Sequence, residues 1–301
     1  MKYPYSSPRS LSYCICSIVV RDKGETHISR PSFKDAHQKR SVMSNPQYVW
    51  RVNKRPRFTV LEFGELMAAD DGPRETLLRD SKYERLYRSI GYRDVNRTVR
   101  RYLSSATRSR TIILDGRDAL EQRKESAGDP KELTNIDLQI AALDAFDASL
   151  NTLPIAGLEF EAVGNRLQRI KMEDVEISVF PTVWVRQRRT RGRDQLGALI
   201  IDPAMGTALK TPQAIAKDQR AKEVACSLLH VHVSSARCAE TDVASNDHCM
   251  IFHVHRRRLY TSPTAYKRDL KNMEAVCRWA MDRWDRLSPP PSFDPAKARY
   301  R

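Results

Sequence analysis

The sequence predicts a mixed α/β (α+β) fold with a core of helix, three-to-four-stranded mixed sheet, helix and strand, preceded by an N-terminal helical region. Between residues 136 and 153 the apolar positions step by threes and fours, which is the period of an amphipathic helix. Between 158 and 186 the apolar period is two, which is typical of strands. The helical pattern returns in residues 211–230 and 266–287, on either side of an apolar segment at 249–255.

The N-terminal region carries three helical signals. Thr59 followed by Glu62 forms a capping box, and Gly72-Pro73 ends the helix that begins there. We expect a second helix over residues 74–88. A third is expected over 92–103, because Tyr92, Val95, Val99 and Tyr102 share one face, opposite Arg93, Arg97, Arg100 and Arg101. Residues 104–130 are polar and predict a mobile connection with about one helical turn.

The strands follow a helix that Pro154 closes. Short alternating segments at 158–163 and 167–172 predict two strands, and we expect residues 175–186 to form one strand that continues past Pro181. The near-continuous apolar segment 196–201 predicts a central strand that is buried on both faces. Thr211-Pro212 begins the next helix, which reaches His230 or beyond.

These patterns divide the chain into four segments. We expect residues 1–42 to be a disordered tail or a mis-called extension ahead of a natural start at Met43. The predicted segments after it are an N-terminal helical region at 43–130, an α/β domain at 131–288 and a disordered C-terminal tail at 289–301.

The composition favours a polyanionic partner. The 301 residues hold 52 Lys or Arg against 37 Asp or Glu, a net charge of +15, of which residues 1–42 supply +5 and the remainder +10. Nucleic acid is the first class of partner that such an excess attracts, then an acidic surface or protein, although a uniformly basic surface is the alternative. No run of about 18 apolar residues exists, so we expect no membrane span. Six cysteines are too few for a disulfide framework, which favours the cytoplasm.

Five arginines are concentrated between two predicted strands. The predicted hairpin carries Arg186, Arg188, Arg189, Arg191 and Arg193, with Gly192 supplying the turn. Like charges at this spacing repel, and arginine forks match phosphate oxygens, so we expect the hairpin to contact nucleic acid. An acidic protein partner and an idle solvated loop remain the alternatives. Arg97 and Arg101, on the helical face described above, are a second candidate for phosphate contact, with a solvated surface as the alternative.

Two His-x-His pairs raise the question of a metal site. His230 and His232 fall at the end of a predicted helix, where positions i and i+2 diverge by about 200°. His253 and His255 fall on a predicted central strand with covered faces. We therefore interpret these histidines as structural and predict no metal site from them, with zinc as the alternative.

The order of elements from residue 136 to 255 resembles the core of the PD-(D/E)XK nuclease-like superfamily. More narrowly, residues 58–288 resemble a widespread group of uncharacterised bacterial proteins of nuclease-like type. The resemblance rests on the segments 175–181, 196–201 and 249–263 and on the final helix, which ends near Trp284.

The resemblance implies an acidic residue on the second core strand and an acid-x-Lys set on the third, which bind a divalent metal and stabilise an anion. In this chain Thr182 and Ile200 stand at the matching positions, so the motif is degenerate and catalysis is not expected. Nearby groups that could form a rearranged site are Asp174, Glu176, Asp202 and Lys210.

The function expected from the sequence is association with nucleic acid by an inactive nuclease-like domain that binds phosphates through its basic hairpin and needs no cofactor. One alternative is an active nuclease that uses Mg²⁺ at Glu176 or Asp202. The other is an interaction subunit that docks an acidic protein.

Overall fold

The computed structural model describes residues 49–86, 91–164, 168–206 and 209–301. Within them lie seven α-helices: α1 (Val60–Ala68), α2 (Asp71–Lys82), α3 (Arg93–Ser104), α4 (Thr111–Ser126), α5 (Pro130–Ala148), α6 (Pro212–Ala236) and α7 (Tyr266–Trp284). The strands of the same residues are β1 (Trp50–Val52), β2 (Arg57–Thr59), β3 (Tyr83–Arg85), β4 (Glu159–Ala162), β5 (Gln168–Met172), β6 (Val175–Val179), β7 (Val183–Gln187), β8 (Asp194–Asp202), β9 (Asp242–His253), β10 (Arg258–Thr261) and β11 (Ala298–Tyr300).

The largest sheet is mixed and has the strand order β10-β9-β8-β7-β4. Strand β8 runs parallel to β9 and antiparallel to β7, and β7 is antiparallel to β4. Helix α6 connects the two parallel strands, because a parallel pair needs a crossover. The predicted mixed α/β fold is confirmed. Between α5 and α6 the chain forms five strands, of which β4, β7 and β8 enter the large sheet, whereas the expected core strands at β5 and β6 belong to another sheet.

Helices cover both faces of this sheet. On β8, Ala198 and Ile200 pack into a core with α1, α6 and α7, whereas Leu199 and Ile201 pack into a second core with α3, α4 and α5. Successive side chains of a strand point to opposite faces, so a strand with two covered faces must be apolar throughout. The prediction of a buried central strand at 196–201 is therefore confirmed.

The expected single strand over residues 175–186 is wrong. Strand β6 lies in a separate three-stranded sheet with the order β2-β6-β5, whereas β7 belongs to the five-stranded sheet. Pro181 stands between them and has no N–H to continue a ladder of hydrogen bonds. The chain therefore changes sheets at residues 180–182.

The expected disorder of the C-terminal segment 289–301 does not hold for its last residues. Strand β11 pairs in parallel with β1, and β3 completes that three-stranded sheet on the other side of β1. The Lys54 N–H donates to the Arg301 carbonyl and the Arg301 N–H donates to the Val52 carbonyl, both at 2.9 Å. These bonds join residues about 250 positions apart, which no local pattern reveals.

The expected mobile connection at 104–130 is also wrong, because α4 occupies most of it. This helix buries only Ile113 and Leu120. Its polar face is fixed to α5 by ion pairs, including Arg117 to Asp144 at 2.9 Å. The helix is therefore stabilised by tertiary partners more than by its own amphipathic pattern.

The predicted capping box is confirmed at the start of α1. The Glu62 N–H donates to Thr59 Oγ1 at 3.2 Å, and the Thr59 N–H donates to the Glu62 carboxylate at 2.7 Å. Further along the helix, a Cβ at Gly64 would lie 2.2 Å from the Ala221 carbonyl oxygen, so only glycine allows α1 to approach α6 this closely.

In the part of the chain that the structure describes, no helix has the length and apolarity to cross a bilayer. The expectation for residues 1–42 lies outside the described residues.

Candidate functional site

The arginine-rich connection joins β7 to β8 as an antiparallel hairpin, as predicted. Gln187 pairs with Gln195 at its base, and Gly192 has a φ of 90°, a left-handed conformation that favours glycine. Asp194 accepts the Arg189 N–H at 3.2 Å and an Arg186 guanidinium N–H at 3.0 Å. The hydrogen bond from the Arg189 N–H, and to a smaller extent the one from Arg186, lower the pKa of Asp194. The Asp194 carboxylate therefore keeps its negative charge at the base of the hairpin.

Two of the five hairpin arginines are engaged in ion pairs at this base. Arg186 bridges Asp194 at 3.0 Å and Asp242 at 3.2 Å. The hydrogen bond to Asp194 is the main cause that raises the pKa of Arg186. Arg188 pairs with Glu159 on β4 at 2.8 Å. These contacts tie the hairpin to its neighbours, and both arginines have carboxylate partners, Arg186 half-buried and Arg188 exposed.

The other three arginines form the tip. Arg189, Arg191 and Arg193, hereafter the tip arginines, are exposed, and none makes an ion pair with another described residue. The hairpin therefore presents about three positive charges on one turn, where the sequence suggested five.

The helical arginines Arg97 and Arg101 lie on α3 and are exposed. Arg97 is 3.8 Å from Asp94 on the same helix, and Arg101 has no ion pair with a described residue. Their positions agree with a solvated face as well as with phosphate contact.

A buried ion pair lies at the opposite end of β8 from the hairpin. The Lys222 ammonium on α6 donates to Asp202 Oδ2 at 2.6 Å, and both side chains are less than a tenth exposed. The other carboxylate oxygen of Asp202 accepts the Ala204 N–H at 3.3 Å. The pair lies at the carboxyl ends of the parallel strands β8 and β9, which is where open α/β sheets form binding crevices.

A second polar group lies one turn away on α6. The Asp218 carboxylate accepts the Tyr260 hydroxyl at 2.7 Å and is 2.6 Å from the Arg256 guanidinium. Burial would raise the pKa of Asp218, but the bonds from Tyr260 and Arg256 outweigh it and lower that pKa. Burial and the bond to Asp218 raise the pKa of Tyr260 to about 12. Both shifts favour an ionised Asp218 and a neutral Tyr260.

Of the four groups that could have formed a rearranged site, only Asp202 lies in this crevice. Asp174 has a φ of 63° and forms the two-residue turn between β5 and β6. Glu176, on β6 in the other sheet, pairs with Arg169 at 3.1 Å. Lys210 is exposed ahead of α6, and the lysine that meets Asp202 is Lys222.

The two residues that replace the implied motif have structural contacts. Thr182 is buried, and its hydroxyl accepts the Ile201 N–H at 3.0 Å while its carbonyl accepts Arg100 Nε at 3.0 Å. Ile200 is buried in the core beneath α6. Neither position offers a carboxylate or an ammonium to the crevice.

The histidines of the two His-x-His pairs do not converge. On α6, His230 is 3.3 Å from the Ala244 carbonyl, while His232 stacks on Trp184. On β9, His253 Nδ1 accepts the Arg256 N–H at 3.4 Å. Across the described ranges, no group of three or more His, Cys, Asp or Glu is placed to hold a metal ion.

Sequence reasoning missed Lys222 and Asp218. Lys222 lies in line with Cys226, Leu229 and Val233 at helical spacing, so a lysine within an apolar stripe was the available signal. Asp218 lies four positions earlier on the same face. A buried lysine requires a partner of opposite charge, and the Asp202 carboxylate at the end of β8 supplies it.

No family model, curated protein or solved structure is significantly similar to this chain. The resemblance to nuclease-like proteins therefore stays a prediction.

Proposed function

We propose that this protein binds nucleic acid through the phosphate backbone, with the tip arginines as the main contact. The observation that carries the proposal is the contrast within one hairpin: Arg186 and Arg188 are paired with carboxylates, whereas the tip arginines have no such partner among the described residues. Three like charges on one turn repel each other, and a line of phosphates relieves this repulsion.

Phosphate suits these side chains because the planar guanidinium donates two parallel hydrogen bonds to its oxygens. Each neutralised phosphate also releases counterions, which adds to affinity without reading sequence. Binding through the hairpin alone is therefore expected to be non-specific. The proposal is limited to binding, because the carboxylates expected to form a cleavage site lie apart.

The test is the salt dependence of binding to a fluorescein-labelled 20-base-pair DNA duplex, measured by anisotropy. If the tip arginines neutralise three phosphates, they contribute a slope of about −2.7 to log K against log[salt], which is about a 40-fold loss of affinity between 50 and 200 mM. Replacing Arg189, Arg191 and Arg193 together by Gln is expected to remove this contribution.

Arg188→Gln is the matched control, because it removes a charge of the same hairpin that is already paired with Glu159. We expect a change in slope well below one unit for this variant. An unchanged slope in the triple variant, or an equal loss in Arg188→Gln, would refute the proposed contact.

An acidic protein partner would use the same three arginines, so the assay includes polyglutamate as a competitor. We expect the duplex to be displaced by unlabelled DNA at far lower charge concentration than by polyglutamate. Equal displacement by the two polymers would reject nucleic acid in favour of the acidic partner.

A further inference from the structure

A cleft of about 940 Å³ opens beside Asp202, at the end of β8 that is far from the hairpin. Strand β8 has nine residues, so its length separates the cleft from the hairpin by about 26 Å. The volume falls in the range of small-molecule sites, about 300–1,000 Å³. The cleft is thus large enough for an organic ligand and distinct from the proposed phosphate contact.

The walls of the cleft are mostly apolar. Leu61, Leu138, Val179 and Ile200 contribute to them. Two further lining residues, Phe180 and Met205, are 54% and 51% exposed, which is unusual for large apolar side chains. Exposed apolar surface at a concave site is typical of sites that bind organic ligands.

The polar groups of the cleft are few, and two come from adjacent turns of α3. Arg100 lines the cleft, and its Nε donates a hydrogen bond to the Thr182 carbonyl. No carboxylate of a described residue forms an ion pair with the Arg100 guanidinium. Asn96 Oδ1 is buried and accepts no hydrogen bond from any described residue. Asp202 is already committed to Lys222. The cleft therefore offers one cationic donor, Arg100, within mostly apolar walls.

We infer that the cleft binds a small organic anion with an aromatic body. Its carboxylate or phosphate would meet Arg100, since a charged acceptor is what an unpaired guanidinium in an apolar cleft requires. The apolar body would cover Phe180 and Met205.

The fluorescent probe 1-anilinonaphthalene-8-sulfonate has this chemistry, an aromatic body with an anionic group, and its titration into the full chain tests the inference. We expect saturable binding at one site, weakened about tenfold or more by Arg100→Gln, because one charge-assisted hydrogen bond is lost.

Because Arg100→Gln also removes the bond to Thr182, a charge-reversal pair at the exposed Met205 gives an independent measurement. Met205→Glu is expected to weaken binding of the anion several-fold, and Met205→Arg to strengthen it. Ile215→Glu is the matched control, because Ile215 is an exposed apolar residue that does not line the cleft. Equal effects at the two positions, or none at Met205, would overturn the inference.

Two competitors distinguish the sources of the anionic group. Displacement of the probe by 2-naphthoate indicates an aromatic carboxylate, and displacement by adenosine 5′-monophosphate indicates a nucleotide. Failure of both at millimolar concentration would reject the site. The variant that lacks the tip arginines is expected to bind the probe normally, so the cleft is tested independently of the hairpin.

Discussion

The buried pair between Lys222 and Asp202 allows a quantitative test of how the crevice is stabilised. Replacing Lys222 by Met keeps the unbranched side chain, shorter by one atom, and removes its charge. The Asp202 carboxylate then remains buried, and among the described residues its other oxygen accepts only the Ala204 N–H, at 3.3 Å. An uncompensated buried charge is among the most destabilising changes known.

Breaking one partner of a buried pair costs about 3–5 kcal/mol. With a urea m value of about 3 kcal/mol/M for a chain of this size, the unfolding midpoint falls by about 1–1.7 M. The double variant Lys222→Met/Asp202→Asn removes both charges, so we expect it to lose less stability than Lys222→Met alone.

The assay is urea unfolding followed by both far-UV circular dichroism and tryptophan fluorescence, since coincident transitions justify a two-state treatment. Lys217→Met is the matched control on the same helix, because its pair with Asp70 is exposed and should contribute less than about 1 kcal/mol. If Lys222→Met costs no more than Lys217→Met, the reasoning about the buried charge is wrong.

Three further predictions use the same unfolding assay. Gly64→Ala is expected to lower the unfolding free energy by about 1–3 kcal/mol or more, because the new Cβ would lie 2.2 Å from the Ala221 carbonyl oxygen. A loss below about 0.5 kcal/mol would mean that α1 and α6 separate easily. Thr59→Ala is expected to cost about 1 kcal/mol through loss of the cap to Glu62, and Thr59→Ser should retain most of it. The unfolding free energy is expected to fall as the pH drops below about 6.5, by up to about 1.4 kcal/mol per pH unit for each buried histidine. The sign follows because burial lowers the pKa in the folded state, so the unfolded chain binds more protons; the histidines are His230, His232, His248 and His253. His232→Phe should reduce this slope, and an unchanged slope would contradict the assignment.

Local patterns predicted those parts of the fold that depend on neighbours in sequence. The capping box at Thr59 and Glu62 formed because its two hydrogen bonds span three residues. The arginine hairpin formed because alternation on either side and Gly192 specify a turn. By contrast, α4 was missed because it buries only Ile113 and Leu120, so its stability depends on packing into the core that it shares with α3 and α5 and not on a pattern in its own sequence.

The candidate site was less predictable than the fold. Its acids were expected from two neighbouring strands of one sheet, but the chain changes sheets at Pro181, so β6 with Glu176 lies in a different sheet from β8 with Asp202. Its lysine was expected at Lys210, whereas the helical register brings Lys222 to the strand end. Spacing in sequence does not indicate which helix face meets which strand end.

The sequence by itself determined the fold class, the central buried strand and the existence of an arginine-rich turn, because hydrophobic period and turn chemistry act over a few residues. Only the tertiary structure decided which of those arginines remain unpaired. Asp242 on β9 pairs with Arg186, and Glu159 on β4 pairs with Arg188, so the pairing of these charges is set by contacts between distant segments.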